Sequence, residues 1–127
     1  MDELIRYGFS IEEIQNMMDN NMMINSIKDT DVSSLLKLLE SIGCSRSQIK
    51  NISITNPFYF SQNISSIEEL LMILKEMGFS SLPILLDENP YLLNLSHEDL
   101  LQIVKKMRKD GIQEVEILDR IQKEILV

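Results

Sequence analysis

The 127-residue sequence has no tryptophan and no alanine, one cysteine, one histidine, three prolines and four glycines. A single cysteine, Cys44, excludes an internal disulfide. With His97 as the only histidine, a zinc site of the usual ligand set would need carboxylates or a second chain. Cations are scarce too. Twelve Lys and Arg stand against 20 Asp and Glu, a formal net charge of −8. A broad phosphate-binding face is disfavoured by that balance, because nucleic-acid affinity rests on Lys and Arg displacing counterions. No apolar run approaches a membrane span; Leu70-Leu71-Met72-Ile73-Leu74 is the most obvious one. The opening Met1-Asp2-Glu3 is acidic, where a secretory signal begins with a basic and then an apolar stretch, so a cytoplasmic protein is expected. There is no phosphate-binding glycine loop and no metal motif. No cofactor, membrane or small-molecule substrate is implied, and no enzyme is expected.

What is present is repetition. Gly8, Gly43 and Gly78 are spaced by 35 residues, and Gly111 follows 33 later. Asn56-Pro57 and Asn89-Pro90 are 33 apart, with Asn21-Met22 in their place in the first copy. Such a period marks stacked supersecondary units. Three units, about 8–42, 43–77 and 78–110, are expected within one domain spanning 1–127, closed by a capping helix over 113–126.

Each unit reads as two helices. The glycine ends one helix, since glycine alone enters the left-handed region cheaply. A serine two residues on starts the next. Ser10 to Glu13 and Ser45 to Gln48 fit the capping box, and Ser80 holds the same place with Pro83 where the acid would stand. The first helices carry Ile11, Ile14 and Met18; Ile49 and Ile52; Leu82, Leu85 and Leu86. The step before proline stops them. The second helices carry Val32, Leu35, Leu36 and Leu39; Ile67, Leu70, Leu71 and Leu74; Leu100, Ile103, Val104 and Met107, at helical spacing. Their expected caps are Thr30 and Asp31, Ser65 and Ser66, and Ser96. Leu4 to Tyr7 reads as the last turn of a preceding second helix. The fold class is therefore all-α, a short helical-repeat array.

Gly43-Cys44-Ser45, Asn56-Pro57-Phe58-Tyr59-Phe60, and Leu70 to Gly78, echoed by Gly78-Phe79-Ser80 and Asn89-Pro90-Tyr91-Leu92-Leu93, resemble the mitochondrial transcription termination factor (mTERF) repeat. The likeness covers roughly Gly8 to Gly111. It implies units of two helices and a short 3₁₀ turn, stacked as a right-handed solenoid whose basic concave side holds double-stranded nucleic acid. This chain departs from that pattern in being acidic and short, and in lacking the proline of its first copy. A lesser resemblance, of Lys75 to Ser80 to the ubiquitin-associated domain, is opposed by the 35-residue spacing and the Asn-Pro steps.

The one basic cluster is Lys105, Lys106, Arg108 and Lys109, a candidate contact for nucleic acid or an acidic partner. The same cations suit the negative end of a helix dipole. Phe58, Tyr59, Phe60 and Tyr91 are candidates for base stacking or for plugging gaps between units. Met17, Met18, Met22 and Met23 are expected as core filler, the last two partly exposed. The paired acids Glu12/Glu13, Glu68/Glu69 and Glu98/Asp99 fall in first turns, where carboxylates cap helices. Cys44 stands where Phe9 and Phe79 do and is expected to be a buried hydrophobe. The charge favours a non-enzymatic protein-interaction scaffold. The alternative is mTERF-type nucleic-acid binding in transcription or RNA metabolism.

Overall fold

The computed structural model describes residues 2–79, 81–112 and 116. Among them lie seven α-helices and three short 3₁₀ helices, and no strand. In chain order these are α1 (Asp2–Tyr7), α2 (Ile11–Asn20), η1 (Met22–Ser26), α3 (Asp29–Ser41), α4 (Arg46–Thr55), η2 (Pro57–Ser61), α5 (Ile64–Glu76), α6 (Leu82–Glu88), η3 (Pro90–Asn94) and α7 (His97–Lys109). The expected capping helix over 113–126 lies outside the described residues, apart from Glu116.

Helix, 3₁₀ helix, helix occurs three times, and like packs on like. The first helices form one layer, α2 against α4 and α4 against α6. The second helices form another, α1 on α3, α3 on α5 and α5 on α7. The 3₁₀ helices stack in turn, η1 on η2 and η2 on η3. Helix α1 takes the place of a second helix preceding the first triad, and its Leu4 is fully buried. No triad covers its own apolar side; each borrows the neighbour's surface.

Local chemistry sets the ends of the helices. Ser10 Oγ accepts the Glu13 amide at 3.0 Å, while the Ser10 amide donates to Glu13 Oε1 at 2.8 Å. Ser45 and Gln48 make the same reciprocal pair at 3.1 and 2.9 Å. Gly43 closes α3 with φ +101°, a conformation that costs a side chain about 1–2 kcal/mol. Its Cα faces Pro83, whose ring would lie 3.5 Å from an added Cβ, so the strain there is of backbone origin rather than crowding.

The third triad departs from the others. From Gly78 to Asn89 is 11 residues, against 13 from Gly8 to Asn21 and from Gly43 to Asn56. Helix α6 has seven residues where α2 and α4 have ten: two are the missing residues, and the third is lost because α6 starts one residue later after its glycine. The cap therefore moves from the expected Ser80 to Ser81, whose Oγ accepts the Ile84 amide at 3.4 Å. Pro83 then sits inside the first turn, where it lacks only an amide that has no helical partner.

Two other caps also differ from expectation. Asn63, not Ser65 or Ser66, caps α5, with Oδ1 accepting the Ser65 amide at 2.9 Å. Helix α3 starts at Asp29 after Lys28, with no side-chain cap from Thr30 or Asp31. In both cases the helix begins earlier than the serine or threonine nearest the apolar run, placing that residue inside the first turn.

The core follows the helical stripes. Val32, Leu35, Leu36, Leu39, Ile67, Leu70, Leu71, Leu74, Leu100, Val104 and Met107 are buried, and Ile103 is half-buried. In α2 the inward residues are Ile14 and Met17. Ile11 is exposed, because it opens the helix one turn before the packed surface begins. The middle triad solves one core position differently. Ser53 and Tyr59 are both fully buried and share a 2.6 Å hydroxyl–hydroxyl hydrogen bond. The equivalent pairs are Met18 with Ile24 and Leu86 with Leu92. A small polar residue opposite a large one fills the space that two medium aliphatics fill elsewhere, and the hydrogen bond offsets the cost of burying two hydroxyls.

Candidate nucleic-acid interface

Helix α7 presents the basic cluster. Ser96 caps it, accepting the Asp99 amide at 3.1 Å. Leu100, Val104 and Met107 turn inward onto α5, which leaves Lys105, Lys106, Arg108 and Lys109 exposed in the last two turns. Asp110 follows as the residue after the helix. The four cations gather where the helix carbonyls are unpaired, so the dipole lowers their cost of crowding.

The repeat register extends this surface. Lys37 of α3 stands at the position of Lys105, and Lys75 of α5 at the position of Arg108; both are exposed. Glu40 and Glu76 interrupt the row, so positive charge is concentrated at the α7 end of the layer. Lys37 and Lys75 escape notice when the sequence is searched for local clusters. The repeat register, 35 residues from the first triad to the second and 33 from the second to the third, is the signal that finds them.

The other candidate groups have structural work. Glu13 is tied into its capping box and lies 3.2 Å from Lys50 across the α2–α4 contact. The Ser10 backbone amide, first, and then Lys50 hold its carboxyl below the usual range. The Cys44 thiol is buried, and burial with the nearby Asp87 charge pushes it up to about 11. Such a thiol is not activated as a nucleophile. The side chain of His97 lies outside the described residues. Among the described residues no group of His, Cys, Asp and Glu could hold a metal, and no helix is long and apolar enough to cross a membrane.

The aromatic residues after the prolines divide. Tyr59 and Phe60 are buried and stack on each other with ring centroids 4.2 Å apart, and Leu92 and Leu93 are buried at the same places in η3. Phe58 and Tyr91 are exposed, so they do not plug the gap expected of them. A 3₁₀ helix has three residues per turn, and the position directly after proline faces out while the next two face in. A cleft of about 570 Å³ opens beside η1 and η2, between the starts of α3 and α5. Its walls include Met23, Ile27, Leu35, Phe60 and Ile64, with Lys28 and Asp31 at the rim.

No curated protein and no solved structure matches the chain. A family model described as mTERF matches residues 1–123. That span takes in every described helix, the positive-φ glycines and both Asn-Pro steps. The chain, a non-catalytic all-α repeat module, belongs to the mTERF family.

Proposed function

We propose that the chain binds nucleic acid through phosphate contacts from the C-terminal end of α7. Proteins of this family are typically nucleic-acid-binding helical repeats. The observation that supports the reading here is the exposed quartet Lys105, Lys106, Arg108 and Lys109 on one helix end. This reverses the preference that net charge alone gives. A charge of −8 is a property of the whole surface, whereas phosphates respond to local potential within about 8–10 Å at ordinary salt. Over the last two turns of α7 and the residue after it, four cations stand against the single acid Asp110.

The contact proposed is the sequence-independent one, to phosphate oxygens, which positions a protein without reading base edges. Four phosphates neutralised on a duplex give a slope of about −3.6 in log affinity against log salt. The test is binding to a duplex DNA and a duplex RNA at low and moderate salt, with Lys105→Glu/Lys109→Glu alongside. Micromolar binding at low salt, a steep slope, and loss in the double variant are expected. Absence of binding at low salt, or equal binding by the double variant, overturns the reading.

A further inference from the structure

The residues directly after Met22, Pro57 and Pro90 are equivalent in the repeat: Met23, Phe58 and Tyr91. Each is a large apolar side chain turned outward, 61%, 45% and 56% exposed, and Met22 beside them is 83% exposed. Because η1, η2 and η3 stack on one another, the three equivalent positions recur along one edge of the array, one exposed apolar side chain per triad. Exposure of one large hydrophobe is ordinary, but a register-matched row of them marks an interaction surface.

The surroundings of the row select its occupant. Helices α2, α4 and α6 all end at it, at Asn20, Thr55 and Glu88. Three helices thus bring the negative ends of their dipoles to this edge. The carboxylates of Asp19 and Glu88 are exposed there, and Asp87 is alongside, accepting from Asn51 Nδ2 at 2.8 Å. The residues at the ends of the 3₁₀ helices, Asn25, Ser26, Ser61 and Asn94, are exposed and neutral, and Lys28 lines the cleft. A phosphate chain meets like charge at this edge. A cationic chain meets opposite charge.

The spacing selects its conformation. Packed helices lie about 8–10 Å apart, which sets the distance between successive anchors of the row. A polyproline II segment advances about 9.3 Å in three residues and returns to the same face. An extended partner with an apolar residue at every third position therefore places one side chain at each gap of the row, and the cleft beside Met23 takes its end.

The geometry points to a docking edge for an extended, basic protein segment carrying apolar residues every third position, bound along Met23, Phe58 and Tyr91. This surface is separate from the α7 end and does not rest on the nucleic-acid reading.

The probe is a fluorescein-labelled (Leu-Pro-Lys)₄ peptide, with (Leu-Pro-Glu)₄ and single-stranded oligothymidine as comparisons, followed by anisotropy. Saturable binding of the lysine peptide is expected, with none of the glutamate peptide. Phe58→Ser/Tyr91→Ser should weaken it at least about tenfold, with helicity unchanged and the melting temperature lowered only modestly, because about half of each side chain is exposed. Asp19→Lys/Glu88→Lys should weaken it and flatten its salt dependence. Absence of lysine-peptide binding at about 1 mM overturns the proposal, as does equal affinity for the wild type and the serine variant. Oligothymidine binding that falls in the serine variant assigns the row to bases and overturns it as well.

Discussion

Asn56 Nδ2 donates to the Pro90 carbonyl oxygen at 2.9 Å, and one triad earlier Asn21 Nδ2 donates to the Pro57 carbonyl at 3.1 Å. Both asparagines are buried. Each thus satisfies the carbonyl of the residue that opens the next triad's 3₁₀ helix. Asn89, the third in the series, turns back onto Leu85 O in its own helix at 3.1 Å. The Asn-Pro step has two parts with two jobs. Pro57 and Pro90 end their helices by steric restriction of the residue before them, while Asn21 and Asn56 tie their triads to the next. Asn56→Ala is expected to cost about 0.5–1.5 kcal/mol, because it removes a buried hydrogen bond between two triads. Asn89→Ala should cost clearly less. Urea midpoints of the two variants provide the comparison, and equal losses would remove the inter-triad role.

The Ser53–Tyr59 pair makes a prediction about non-additivity. Tyr59→Phe leaves the Ser53 hydroxyl buried without its partner, a loss of about 1–3 kcal/mol. Ser53→Ala similarly strands the phenol, whose ionisation burial already pushes up. The double variant removes both polar groups together, so it should be more stable than the sum of the singles by about 1 kcal/mol. A double-mutant cycle in urea measures this, and strict additivity would show that the hydrogen bond contributes nothing.

Much of this fold is legible in the sequence because repetition samples the same rule three times. The stripes Val32 to Leu39 and Ile67 to Leu74 share one spacing, and neighbours pack only if the spacing is kept. The caps were harder to place. Ser65, Ser66 and Thr30 have the right chemistry beside the right apolar run, yet the backbone enters α5 and α3 earlier. Several polar residues compete at each helix start, and the winner depends on where the preceding 3₁₀ helix releases the chain. The outward turn of Phe58 and Tyr91 was also hidden. Aromatic character alone reads as core, and only the three-residue period of the 3₁₀ helix distinguishes Phe58 from Tyr59. The α7 cluster is legible as a local run of cations, and its alignment with Lys37 and Lys75 follows only once the repeat is registered on its 35- and 33-residue spacings.

Alkaline pH should weaken the fold in a defined order. Burial, then the Asp87 charge, raises the Cys44 thiol from 9.0 to about 11. Burial, then Glu40, raises the Tyr7 phenol from 10.0 to about 12. In both cases the unfolded chain releases its proton first. The stabilisation is therefore complete below pH 9 and declines as pH rises, through 9–11 for the thiol and 10–12 for the phenol. Urea midpoints across this range are expected to fall, and Cys44→Val should remove the earlier part of the decline. An unchanged profile in that variant would show that the thiol is not the group responsible.

Helix α5 offers a test of where its first turn begins. Asn63 Oδ1 accepts the Ser65 amide, so the helix gains its cap one residue before Ile64. Ser65 and Ser66 follow inside the first turn, where serine is at best neutral compared with alanine. Loss of an N-cap side chain costs about 0.5–2 kcal/mol. Asn63→Ala should therefore destabilise by about 1 kcal/mol, while Ser65→Ala and Ser66→Ala should be neutral or slightly stabilising. The contrast is informative because α5 packs on both α3 and α7, so unfolding of its first turn should be felt throughout the array. Thermal melts of the three variants give the ranking. A loss on Ser66→Ala larger than that on Asn63→Ala would move the cap back to the serine and shorten the helix at its start.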